Sequence, residues 1–265
     1  MKAQITLTPS ESKRLIAKSL LKHDKIKKAL KSGTLVINLG STNAYVAEEI
    51  LKKSMEKERF VAGLIDNNGT CVVPKNERIS SIVLQGGKIV DKNPEEITKS
   101  MGPGDVFIKG ANAVDNMGIA WVMLASETGG TIGHVIGTLM ARGIGVIIPV
   151  GLEKFVPDDL SKVSTRIGIH RTDCSIGMPV GIMAVHGEVV SEKEAFKLLG
   201  EVDVSVIGAG GIGGGEGSYT FLVEGRAEEV KDIFNLVKDI KGEKMTKAIR
   251  GNCRSCIYTC PDKRD

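Results

Sequence analysis

Two apolar runs limit what this chain can become. Residues 34–39 read Thr-Leu-Val-Ile-Asn-Leu and residues 145–150 read Gly-Val-Ile-Ile-Pro-Val. Neither alternates apolar with polar positions, so a strand made from either must be covered on both faces. The first runs into Gly40-Ser41-Thr42, and then Val46, Ala47, Ile50 and Leu51 fall on one helical face. The second follows Ile132, Val135, Ile136, Leu139 and Met140, which repeat at helical spacing. Further strands are expected at 60–65, 71–73, 82–84 and 105–108, and a helix at 114–123. Strand and helix in alternation predict an α/β fold, with a Rossmann-like, mostly parallel sheet covered on both sides.

The N-terminal helix has its own punctuation. Thr8-Pro9-Ser10-Glu11 supplies an N-cap, a proline at the first helical position and the reciprocal capping residue. Beyond Pro179 the pattern changes. Strands are expected at 180–186, 202–207, 218–224 and 244–250. Helices are expected at 191–199, with Ser191 and Glu194 as a capping box, and at 227–240. The order β-α-β-β-α-β is that of a ferredoxin-like α+β domain. The expected organisation is an α/β domain over 1–165, a ferredoxin-like domain over 166–250 and a cysteine-rich tail over 251–265.

Composition narrows the function classes. A formal net charge of +4, from 36 basic and 32 acidic residues, is too small to argue for nucleic acid. Aromatic residues are 4% of the chain, which disfavours base-stacking platforms. No apolar run approaches membrane-spanning length and the first residues lack an apolar signal core, so a cytoplasmic protein without a membrane partner is expected. A homo-oligomer is left open.

Three loops qualify as ligand contacts. Gly40-Ser41-Thr42-Asn43 lies between a buried strand and a helix, where backbone N–H groups and hydroxyls can hold phosphate or carboxylate. Thr128-Gly129-Gly130-Thr131 is a second such turn. Lys109-Gly110-Ala111-Asn112 follows the strand at 105–108, and Lys109 can present its ammonium to an anion. Asp115 and Glu127 are carboxylates suited to acid–base or nucleophilic work. In a doubly wound sheet such loops gather at the carboxyl ends of the strands. The run from Gly208 to Gly213 matches the dinucleotide fingerprint, but glycines continue to Gly217 and a strand follows instead of a helix. No nicotinamide or flavin cofactor is therefore expected.

The segment Val-Ile-Asn-Leu-Gly-Ser-Thr-Asn-Ala-Tyr-Val-Ala-Glu-Glu-Ile, with the later Phe-Ile-Lys-Gly-Ala-Asn-Ala, resembles the superfamily of ribose-5-phosphate isomerase, glucosamine-6-phosphate deaminase and CoA-transferase. The likeness covers roughly residues 10–155. It implies a phosphate loop at Gly40, Ser41 and Thr42, and a Lys-Gly motif at Lys109-Gly110. Ser126-Glu127-Thr128-Gly129 is similar to the nucleophile motif of the CoA-transferases, with Thr128 in place of Asn. The isomerases' Gly-Ala-Asp-Glu segment has no counterpart.

At the end of the chain Cys253, Cys256 and Cys260 form C-x2-C-x3-C-P, the last part of the bacterial ferredoxin run. Three thiolates suit an iron–sulfur cluster with one open iron, or zinc with a fourth ligand from elsewhere; a tail of free thiols is the third alternative. The expectation for the whole chain is an enzyme of isomerase or acyl/CoA-transfer type acting on a phosphorylated or carboxylated metabolite. A non-catalytic metabolite sensor and a metal protein acting through its tail are the competing readings.

Overall fold

The computed structural model describes residues 1–252 and residue 260. In chain order the first elements are β1 (Lys2–Leu7), α1 (Pro9–Leu20), α2 (Asp24–Ser32), β2 (Thr34–Ile37), α3 (Ser41–Leu51), β3 (Gly63–Asp66), β4 (Gly69–Val72), β5 (Ile82–Gln85) and β6 (Lys88–Ile89). The middle of the chain forms α4 (Pro94–Thr98), β7 (Val106–Ile108), β8 (Ala113–Val114), β9 (Ala120–Leu124), α5 (Gly130–Ala141), β10 (Gly145–Pro149) and α6 (Leu160–Ser164). There follow β11 (Gly181–Val185), β12 (Glu188–Val190), α7 (Glu192–Leu199), β13 (Val202–Gly210), β14 (Ser218–Gly225) and α8 (Ala227–Ile240). The fold is α/β.

Its centre is a mixed six-stranded sheet in the order β12-β10-β7-β2-β5-β6. β12, β10, β7 and β2 run parallel, while β5 and β6 return antiparallel at one edge. Every residue of β2 and β7 is buried. Alternate residues face opposite cores, as the two-residue repeat of a strand requires. Leu35, Ile37, Val106, Ile108 and Ile147 join the core formed with α1, α2, α3, α7 and α8. Val36, Phe107, Val146 and Ile148 join the core formed with α4, α5 and part of a small sheet ordered β11-β9-β8.

A second antiparallel sheet, β1-β14-β13, packs against α7 and α8. Its inner face carries Ala3, Ile5 and Leu7 from β1, together with Phe221 and Val223 from β14. Phe196 meets Phe221 edge-on at 5.4 Å between ring centres, so α7 is held by an aromatic contact as well as by area. Both expected capping boxes form: Thr8 with Glu11, and Ser191 with Glu194.

Several expectations require correction. The helix expected at 114–123 is a hairpin of β8 and β9. The Asp115 carboxylate accepts from the backbone N–H of Met117 and Ile119, and Gly118 takes φ +76°, which together make a tight turn. The strand expected at 60–65 divides into a 3-10 turn ending at Phe60 and β3. No strand forms at 244–250; the segment is tied instead by Tyr45 Oη, which donates to the Lys244 carbonyl, and by the Arg250–Asp66 ion pair. The expected β-α-β-β-α-β order does not occur as one sheet. β11 pairs with β9, β12 extends the central sheet, and the N-terminal β1 takes the place beside β14. The expected division after residue 165 is thus crossed in both directions, by β1 and by β12. No helix among the described residues is long and apolar enough to cross a membrane.

Candidate active site

Parallel strands deliver their carboxyl ends to one edge of the central sheet, and each of the four brings polar residues there. β2 is followed by Asn38, Gly40 and the start of α3. β7 leads into Lys109-Gly110-Ala111. β10 leads into Gly151 and the 3-10 turn Leu152–Lys154. β12 leads into Ser191, the N-cap of α7, and Glu192.

The start of α3 carries two unanswered polar groups. Thr42 and Asn43 are buried, and neither Thr42 Oγ1 nor Asn43 Oδ1 has a hydrogen-bond partner. Asn43 Nδ2 donates to the Asn38 carbonyl at 2.8 Å, which fixes the side chain and turns its acceptor away from that carbonyl. Gly110 lies against it: a Cβ at Gly110 would stand 3.8 Å from Asn43 Oδ1 and 3.9 Å from the Pro149 carbonyl. No side chain caps α3, so its first N–H groups remain available to an anion.

Two lysines sit beside this helix start. Lys109 Nζ donates to the Gly110 carbonyl at 3.0 Å, and Lys154 Nζ donates to the neighbouring Ala111 carbonyl at 2.9 Å. Part of each side chain reaches the surface, but both ammonium groups are surrounded by protein. Burial, reinforced by the charge of Lys154, lowers the Lys109 pKa to about 8. No carboxylate among the described residues lies within ion-pair distance of it. Lys154 is also pushed down by burial, but the carboxylates of Glu153 and Glu192 work in the opposite direction.

Those two carboxylates complete the cluster. Glu192 is 1% exposed and accepts from the Leu152 N–H at 2.9 Å. Burial, followed by the like charge of Glu153, pushes its pKa up to about 7. Glu153 folds over Gly151, where any Cβ would collide with its carboxylate. Lys13 of α1 faces Glu153 at 3.5 Å as an ion pair, and neither of the buried Glu153 oxygens has a hydrogen-bond partner. The glycine-rich turn after β13 reaches the same place. Gly217 lies against Pro9 and Glu153, and the Tyr219 hydroxyl is pushed up by burial and then by Glu192 and Glu153. Three lysines against two carboxylates leave room for one or two negative charges from a ligand.

The sequence pointed to only part of this. The structure gathers Gly40, Ser41, Thr42, Asn43, Lys109 and Gly110 as expected neighbours of one sheet edge. Lys13, Glu153, Lys154 and Glu192 were missed. Glu153 and Lys154 stand just past a buried strand, the position that singled out Lys109; Glu192 follows an N-cap and reads as an ordinary first-turn acid. Asp115 is buried and committed to its turn, accepting also from Trp121 Nε1 at 2.8 Å. Asn112 Oδ1 accepts from the Met123 N–H and thereby stitches the same hairpin. Glu127 is exposed and meets His170 Nε2 at 3.1 Å. With Thr128, Gly129, Gly130 and Thr131 it belongs to the turn between β9 and α5, outside the central sheet. No hydrogen bond or ion pair among the described residues connects that turn to the lysine cluster.

A second charged cleft, of about 460 Å³, is lined by Arg14, Glu48, Glu49, Lys52, Lys53 and Lys57. Here the charges answer each other. Arg14 pairs with Glu48, Glu49 and Glu243, and Arg14 and Lys57 both stand over the Tyr45 ring. Cys253 and Cys256 lie outside the described residues, and Cys260 is half-buried. Among the described residues no group of three His, Cys, Asp or Glu side chains is placed to hold a metal ion. No family model, no curated protein and no solved structure matches the chain.

Proposed function

We propose that this protein is an enzyme that binds a small phosphorylated or carboxylated metabolite at the carboxyl edge of β2, β7, β10 and β12 and moves a proton on it. The observation that carries the reading is the juxtaposition of two enclosed ammonium groups, on consecutive carbonyls, with the buried Thr42 hydroxyl, which has no hydrogen-bond partner. A buried cation without a carboxylate is unfavourable until something anionic arrives. The start of α3 supplies N–H donors for the same charge. Glu192, titrating near neutrality, is suited to take up and return a proton at ordinary pH.

The resemblance to the ribose-5-phosphate isomerase, glucosamine-6-phosphate deaminase and CoA-transferase superfamily supports this choice at Gly40-Ser41-Thr42 and Lys109-Gly110. Proton transfer beside a carbonyl fits the near-neutral Glu192 of the cluster. Acyl transfer through Glu127 would rest on a carboxylate exposed in another turn.

Thermal unfolding with ribose 5-phosphate, glucosamine 6-phosphate, pyruvate and acetyl-CoA tests the binding. A compound at 100 times its Kd adds about 2.7 kcal/mol, which for a chain of this size raises Tm by roughly 5–10 °C. Thr42→Ala and Lys109→Ala should reduce that rise while the unliganded proteins stay folded. For catalysis, deuterium from D2O should enter the ligand at the carbon beside its carbonyl. If both variants respond like the parent to every stabilising compound, the site is elsewhere; stabilisation without deuterium uptake identifies a sensor.

A further inference from the structure

The two lysines are not equivalent, and their difference assigns them different chemistry. Lys154 comes from the turn after β10 and stands in the field of Glu153 and Glu192, so its ammonium form is supported. Lys109 comes from the turn after β7 and has no such support; the charge acting on it is that of Lys154 itself. Its amine is tethered to the backbone carbonyl next in sequence, Gly110, and so stays at the carboxyl end of β7. An amine held in a desolvated site beside a second cation is a nucleophile toward carbonyl carbon.

We propose that Lys109 is the covalent residue of the site and forms an imine with the carbonyl of a small oxo compound that also carries an anionic group. This rests on the anion-site reading above and names the substrate class: a carbonyl within reach of a carboxylate or phosphate. The uncharged amine adds its lone pair to the carbonyl carbon, forming the C–N bond. The carbonyl oxygen takes a proton and becomes a hydroxyl. The nitrogen passes one proton to that hydroxyl, the C–O bond breaks, and water leaves with its bonding electrons, giving the protonated imine. No oxidant or reductant is consumed. Lys154 and the N–H groups of α3 hold the anionic group, and Glu192 is the carboxyl group that exchanges protons. The imine withdraws electrons from the adjacent C–H bond, which is the bond the proposed proton transfer must break.

Borohydride trapping tests the step on the full-length protein. Pyruvate serves as the carboxylate probe and dihydroxyacetone phosphate as the phosphate probe, each with sodium cyanoborohydride. Intact mass should rise by the mass of the probe less one oxygen atom, once per chain, and peptide mapping should place it on Lys109. The reactive group should titrate near pH 8, where Lys154 is the one charged group acting on it, rather than near the 10.5 of an ordinary lysine. At pH 7.5 that difference makes Lys109 on the order of a hundredfold more reactive than a surface lysine. Lys109→Arg keeps the charge and should abolish the adduct, while Lys28→Arg, at an exposed position on α2 outside the site, should retain it. Labelling spread over exposed lysines, or no labelling with either probe, overturns the proposal. Probe-dependent stabilisation without labelling removes only the imine and leaves the anion site intact; absence of both removes both.

Discussion

Replacing Glu192 with glutamine should make the protein more stable at alkaline pH and leave it nearly unchanged at acidic pH. The carboxyl is 1% exposed and its pKa moves from the ordinary 4.5 to about 7 on folding. Between those values the native state binds more protons than the unfolded chain. Stability therefore falls as pH rises through that window and levels off above the folded pKa. At about 1.4 kcal/mol per pH unit, the loss is about 3 kcal/mol by pH 8 and about 1 kcal/mol at pH 5. Glutamine has nearly the same shape, can accept from the Leu152 N–H and has no proton to lose. Glu192→Gln should thus gain roughly 2 kcal/mol over the parent between pH 5 and pH 8. Any change in packing or hydrogen bonding that is independent of pH cancels in that difference. Lys154, which draws on the Glu192 carboxylate, makes the gain an upper value. Urea unfolding of both proteins at the two pH values measures it. A variant whose stability difference from the parent is the same at pH 5 and pH 8 would refute the buried-carboxylate argument, and with it the role of Glu192 as a near-neutral proton carrier.

Other perturbations probe the frame of the site. Asp115→Ala leaves two backbone N–H groups and the Trp121 indole without their acceptor, at a cost of about 2–4 kcal/mol. Because Trp121 is the single tryptophan, its fluorescence reports the local change directly, and an unchanged spectrum would contradict the assigned bond. Gly177→Ala asks a residue with a Cβ to adopt φ +85° against the backbone of Thr70; calorimetry should show a loss of at least about 1 kcal/mol. A variant as stable as the parent would show that the close approach of these two segments is not required.

Much of the architecture was legible because it depends on local chemistry. The buried strands at 34–37 and 145–149 lack alternation, and only a sheet covered on both faces tolerates that. The helices at 9–20 and 192–199 carried their capping boxes in plain sequence. The failures share a cause. The stretch 114–123, expected as a helix, forms a hairpin because the Asp115 turn and the cross-strand partners of β8 and β9 decide it. The strand expected at 244–250 does not form: β11, the strand expected at 180–186, pairs with β9, and β1 holds the place beside β14.

The same line divides the candidate site. By itself the sequence determined that Gly40, Ser41, Thr42, Asn43, Lys109 and Gly110 follow buried parallel strands, and parallel strands send such residues to one edge whatever else the chain does. It also determined that the glycine run at 208–217 lacks the helix a dinucleotide needs. Only the tertiary structure decided that Lys154, Glu153, Glu192 and Lys13 join them, that Glu127 turns outward to His170, and that Asp115 is spent on a turn. Burial and charge proximity are properties of residues far apart in the chain. The lowered Lys109 and the raised Glu192 come from burial and from Lys154 and Glu153 in the turn after β10, which no local pattern around either residue encodes.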